Sequence, residues 1–221
     1  MFRTLVCLVS AAATATATLA LSTTGAQALA RPQAATLVKA VSLDMDGDAK
    51  PDTLRLYKLT ASTWKAKVTT ATGKVSSRTF TSTIVRDWGY PSPWGGAAHL
   101  DGVRGYEVKL LTGGGDGAVE IVLTWRSGAL VKEKAPASPW GMTGWYEGGP
   151  GGFGHGYAFF TSLGKHYVYT YGLTRTAGKY KGTVYRSKWV SGAWKKIETI
   201  KVSLSQAQFD TELKDTADWI S

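Results

Sequence analysis

From Thr36 onward the chain alternates β-branched or aromatic residues with Lys, Arg, Ser and Thr, and glycines interrupt at short intervals. A period of two sends successive side chains to opposite faces, which suits a half-buried strand and not a helix. Trp64 to Thr69, Val119 to Trp125, Tyr167 to Tyr171 and Thr183 to Trp189 all read this way. Short Gly-containing signals sit between such runs: Thr72-Gly73-Lys74, Ser127-Gly128-Ala129, Leu163-Gly164-Lys165, Ala177-Gly178-Lys179 and Ser191-Gly192-Ala193. They join neighbouring strands as hairpins. Only Leu204 to Ile220 reads as helical. Ser205 is a candidate N-cap there, and Phe209, Leu213 and Ala217 recur at four-residue steps.

A worn internal repeat refines this. Trp125 to Lys132 echoes Trp189 to Lys196, and Asp101 to Glu107 echoes Asp46 to Asp52. Phe153 to Tyr157 is the candidate opening of a third unit. Three meanders of about forty to fifty-five residues follow from this spacing. A closed propeller usually needs at least four blades. The expected fold is therefore all-β: about three meandering antiparallel sheet units, blade-like or packed as a sandwich, with a short C-terminal helix.

The densest chemistry lies in residues 44–52. Asp44, Asp46, Asp48 and Asp52 place four carboxylates in nine residues. Two carboxylates about 5 Å apart repel by roughly 3 kcal/mol at an effective dielectric near 20. A hard divalent cation removes that cost, and Ca²⁺ accepts six to eight oxygens from a flexible loop. Gly47 permits a sharp turn, Pro51 stiffens the exit, and Thr53 to Leu59 continues as an alternating strand.

The order Asp-x-Asp-Gly-Asp-x-x-Pro-Asp followed by such a strand resembles the calcium loop of FG-GAP/VCBS repeats, which build blades of integrin-type propellers. The resemblance covers the loop and its strand, under a fifth of the chain. It implies side-chain ligands from Asp44, Asp46, Asp48 and Asp52, a backbone carbonyl ligand from Lys50, and a bound Ca²⁺. In the second copy His99 and Val103 replace two carboxylates, so that loop is expected to be held by hydrogen bonds and Arg104.

The start of the chain reads as an export signal. Met1-Phe2-Arg3 is short and positive, Thr4 to Leu21 carries no charge, and Ala28-Leu29-Ala30 offers a small-x-small cleavage site. The expected organisation is a signal peptide over 1–30 and a single all-β domain over 31–221, with a calcium loop at 44–52. The expected location is secreted and extracellular, with no membrane span. Cys7 is the only cysteine and falls within the signal, so no disulfide staples the domain. The formal charge of +10 is spread as single Lys and Arg residues between aromatic and hydroxyl positions. That pattern suits the outer face of a sheet better than a specific nucleic-acid groove.

Two Gly/Pro-rich stretches, 87–96 and 140–152, are expected to be loops and not strands. They carry Trp88, Trp94, Trp140, Trp145, Tyr146 and Glu147, the candidate ligand-binding residues, because exposed aromatic rings stack on sugars or peptides. Gly113 to Gly117 lacks the ending of a phosphate loop and reads as a hairpin tip. No catalytic set assembles from the sequence: the three histidines, His99, His155 and His166, lack metal spacing, and no nucleophile elbow occurs. The expected function is a secreted, calcium-stabilised, non-catalytic β module binding a cell-surface, wall or polysaccharide ligand. The alternative is a small secreted hydrolase of polysaccharide or peptidoglycan using Glu147 or Asp87.

Overall fold

The computed structural model describes residues 34–149, 153–212 and 219–220. The expected export signal and residues 213–218 of the expected C-terminal helix lie outside them. Two antiparallel sheets make up most of the chain, as the alternation requires. The first is a four-stranded meander of β1 (Thr36–Leu43), β2 (Asp52–Lys58), β3 (Thr63–Thr69) and β4 (Val75–Thr81). The second has nine strands. It begins with β5 (Trp94–Ala98), β6 (Glu107–Gly113), β7 (Gly117–Arg126) and β8 (Ala129–Glu133). It ends with β10 (Phe153–Ser162), β11 (Lys165–Thr176), β12 (Lys179–Val190) and β13 (Ala193–Leu204). Strand β9 (Trp145–Gly148) pairs with the start of β7 and touches β10, so the second and third meanders run together as one sheet.

Alternation fixes which faces are buried. On β2 and β3, Leu54, Leu56, Trp64, Ala66 and Val68 are buried, while the Lys and Arg residues between them are only partly covered. These residues share one core with Val108, Leu110, Leu123 and Trp125 of β6 and β7, so the first meander lies face to face on the second. Trp64 is fully buried. A ring of about 200 Å² at about 25 cal/mol/Å² contributes about 5 kcal/mol on transfer from water. The opposite face of β7 presents Val122 to a second cluster with Leu100, Trp145, Tyr157, Phe159, Val168 and Trp194. The third meander therefore covers the far side of the second.

Two features depart from the expectation. The glycine-rich stretches each contain strand: β5 starts at Trp94, and β9 spans Trp145–Gly148. Gly117 sits opposite Gly148, where an added Cβ would run into the Glu147 carbonyl and the Tyr146 ring. Glycine here lets two backbones pair at close range; it does not break the strand. A short helix α1 (Ile84–Trp88) was not expected either; Ile84 is buried, and Gly89 ends the helix in the left-handed region at φ 71°. At the C-terminus α2 (Gln206–Glu212) starts at Ser205. Ser205 Oγ accepts from Gln208 N (3.3 Å) while Gln208 Oε1 accepts from Ser205 N (2.9 Å), a reciprocal cap. Phe209 stacks on Tyr180.

Candidate functional site

The loop between β1 and β2 gathers Asp44, Asp46 and Asp48. One carboxylate oxygen from each lies within 4.8 Å of the others, and all three residues are at least partly open to solvent. Main-chain donors hold the arrangement. Gly47 N and Ala49 N donate to the two oxygens of Asp44 (2.8 and 2.9 Å), Asp48 N to Asp46 Oδ1 (3.3 Å) and Lys50 N to Asp48 Oδ1 (2.9 Å). Lys50 itself is exposed. Burial, then the charges of Asp52 and Asp48, raises the Asp46 carboxyl above its ordinary range. Among the described residues no Lys or Arg forms an ion pair with the three carboxylates. The donor set is hard oxygen only, with Asp46 Oδ2 and Asp48 Oδ2 outside these bonds, and it fits a hard cation such as Ca²⁺.

Asp52 is placed differently from the other three. It is buried, with Oδ2 accepting from Met45 N (2.7 Å) and Asp46 N (3.1 Å) and Oδ1 accepting from Ala71 N (2.7 Å). It braces the loop against the β3–β4 turn.

The echo of this loop is real in three dimensions. Glu107 Oε2 accepts from Leu100 N (2.9 Å), as Asp52 accepts from Met45, and Val103 N donates to Asp101 Oδ1 (2.8 Å). Gly47 and Gly102 both take φ 77°. The cation that closes this second loop is Arg126 and not Arg104: its Nη2 donates to Asp101 Oδ2 (2.5 Å) and Glu107 Oε1 (3.1 Å). The two loops pack together. Tyr106 N donates to the Asp44 carbonyl (2.9 Å), and a Cβ on Gly47 would collide with Arg104. A cleft of about 470 Å³ opens there, lined by Asp44, His99, Val103, Arg104 and, from the third meander, His166.

The candidate aromatic residues are scattered. Trp88 is half exposed and lines a groove of about 160 Å³ with Tyr90. Trp140 is partly exposed beside His155. Trp94 packs against the first core, and Trp145 is buried in the second with its Nε1 donating to the Glu133 carbonyl. Tyr146 is half-buried on β9. Glu147 lies 3.4 Å from Lys109 Nζ and lines a cleft of about 330 Å³ with His155, Tyr157, Tyr171 and Tyr180. Asp87 is exposed and paired with Arg86.

One arrangement was invisible in the sequence. Ser138 Oγ donates to His155 Nε2 (2.8 Å), and His155 Nδ1 donates to the Tyr146 carbonyl (2.7 Å). A carbonyl only accepts, so Nδ1 carries the proton and Nε2 is the acceptor. Burial holds the His155 imidazole below its usual range, so it stays neutral. This is the tautomer a general base needs. Ser138 Oγ also accepts from Trp140 N (3.1 Å), and both side chains are buried. The seventeen-residue separation is bridged by β9 and β10, and no local signal marks it.

Comparison with protein-family profiles, with curated proteins and with solved structures finds no match to this chain.

Proposed function

We propose that the protein is an exported, calcium-stabilised, non-catalytic β module of FG-GAP/VCBS type that binds a cell-surface or wall ligand. The observation that carries the reading is the convergence of Asp44, Asp46 and Asp48 without a paired side-chain cation among the described residues. Such an arrangement is repulsive by itself and favourable around a divalent ion. Asp44, Asp46 and Asp48 would hold Ca²⁺ through their carboxylates, while Asp52 keeps the loop in shape from behind. The ion supplies cross-linking between β1 and β2 in a domain without disulfides. The exposed Trp88 groove and the cleft beside Asp44 are the surfaces on which a ligand would rest.

Titration calorimetry with Ca²⁺ tests the metal, and Asp46→Ala with Asp48→Ala is expected to abolish the heat of binding. Unchanged binding in that double variant removes the reading. Retention on insoluble wall material without release of reducing sugar is expected for the ligand function.

A second reading, a small hydrolase, is favoured by the Ser138–His155 hydrogen bond beside the cleft that contains Glu147. Turnover that is lost in Ser138→Ala or Glu147→Gln would support it over the first.

A further inference from the structure

Glu133, at the end of β8, is 7 % exposed. Its Oε1 accepts from Trp194 Nε1 (2.9 Å) of β13, and its Oε2 is buried with no hydrogen-bond partner among the described residues. A carboxylate oxygen of Glu133 lies within 4.8 Å of carboxylate oxygens of Asp101 and Glu107, both also buried. Every other oxygen of this trio is accounted for. Val103 N and Arg126 serve Asp101; Leu100 N, Thr124 Oγ1 and Arg126 serve Glu107. The charged groups facing Glu133 are Asp101 from the β5–β6 loop, Glu107 from β6 and Arg126 from β7; β13 contributes the neutral Trp194. Three carboxylates against one guanidinium leave two uncompensated negative charges in a water-poor site. An ionised, unpartnered carboxylate oxygen is a large cost there.

We propose that Asp101, Glu107 and Glu133 form a buried proton-binding site, in which Glu133 is kept as the neutral acid at neutral pH and donates from Oε2 to the ionised carboxylates. One proton supplies the donor that Oε2 lacks and removes one negative charge. A metal ion is the poorer fit, because the Arg126 guanidinium already bonds both Asp101 and Glu107 where an ion would sit. The energetics agree with the geometry. Burial first, and then the neighbouring carboxylates, pushes Glu133 up to about 8, and burial and Asp101 push Glu107 to about 7. The trio titrates as a unit. It lies where the third meander meets the second, beside the Glu133–Trp194 bond, so burial of the charge and repulsion by Asp101 and Glu107 make losing the proton costly at that seam.

The sign of the linkage is fixed. Glu133 up to about pH 8, and Glu107 as well on the acid side of about 7, hold protons in the fold that the unfolded chain releases near 4.5, so this contribution is full below 4.5, falls as pH rises above it, and is gone beyond about 8. The test is urea denaturation of the full chain from pH 5 to 9, beside Glu133→Gln, an isostere of the neutral acid. The wild-type folding constant is expected to drop up to about tenfold per pH unit for each proton released. Glu133→Gln is expected to match wild type at pH 5, exceed it at pH 9, and lose one proton's share of the slope. Should the variant not fold, infrared spectra of the wild-type chain read the same state. A protonated-carboxyl band that persists at pH 7 and vanishes by pH 9 supports the site. A band already absent at pH 6, or an unchanged slope in Glu133→Gln, overturns it. So does loss of the band on adding Ca²⁺ in an Asp46→Ala, Asp48→Ala background, which would place an ion in the trio instead.

Discussion

Within nine residues the same side chain, aspartate, does two different jobs. Asp46 and Asp48 face solvent and each other, whereas Asp52 is 1 % exposed and satisfies three main-chain N–H groups. A charged acceptor bonded to buried N–H donors is worth about 1.5–3 kcal/mol per bond, and removing it strands the donors. Asp52→Ala is therefore expected to destabilise the fold by about 3 kcal/mol or more in EDTA, measured by urea denaturation. Asp46→Ala in EDTA is expected to change stability by less than about 0.5 kcal/mol, because the relief of repulsion offsets the loss of one long, exposed bond from Asp48 N (3.3 Å). With Ca²⁺ present the Asp46 variant should lose the ion's stabilisation as well, by mass action. Equal effects of the two substitutions in EDTA would erase the distinction. The spacing of the four acids was plain in the sequence. That one of them turns inward was not, because its partner Ala71 belongs to a turn two strands away.

At the level of elements, the X-Gly hairpins were legible, and four of the five share one geometry, Thr72-Gly73 being the exception. Ser127, Leu163, Ala177 and Ser191 all take φ between 50° and 52°, each followed by a positive-φ glycine. Two left-handed residues in succession match the right-handed twist of the flanking strands. Leucine is a poor choice for this, and Leu163 is 96 % exposed, so it gains no packing in return. Leu163→Asn is expected to stabilise the domain by about 0.5–1 kcal/mol, seen as a rise of a few degrees in Tm. An unchanged or lower Tm would mean that the left-handed backbone at Leu163 carries no cost that asparagine relieves. Ser205 marked the start of α2 at the expected place, and Gln208 completes its cap. The strands β5 and β9 were missed for a physical reason: glycine ordinarily weakens a strand, but at Gly117 it admits a neighbouring backbone that any side chain would exclude.

For the whole molecule, the merging of the second and third meanders depends on long-range pairing that no local pattern encodes. β9 bridges β7 and β10, and the bonds that lock the result join Ser138 to His155 and Glu133 to Trp194 across 17 and 61 residues. Both bonds carry a titratable group, and the two act in opposite directions. His155 is held below its ordinary 6.5 by burial, so the unfolded chain binds its proton first, and stability from this group is lost as pH falls below 6.5. Glu133 and Glu107 are raised, so their contribution is lost as pH rises above 4.5. Just below 6.5 the histidine offsets part of the carboxyl slope; above 6.5 it no longer does. Stability should therefore decline gently with pH just below 6.5, most steeply between 6.5 and about 7, and gently again until the loss ends near 8, with each proton worth at most about 1.4 kcal/mol per pH unit. His155→Gln, which can still bond to Ser138, is expected to remove the break at 6.5 and leave the slope of the two carboxyls unbroken from pH 5 to about 7, easing only as Glu107 gives up its proton. Urea midpoints measured at half-unit steps decide this. A break at 6.5 that survives His155→Gln assigns the acid side to another group, and the opposed pair of protons would no longer describe how this seam responds to pH.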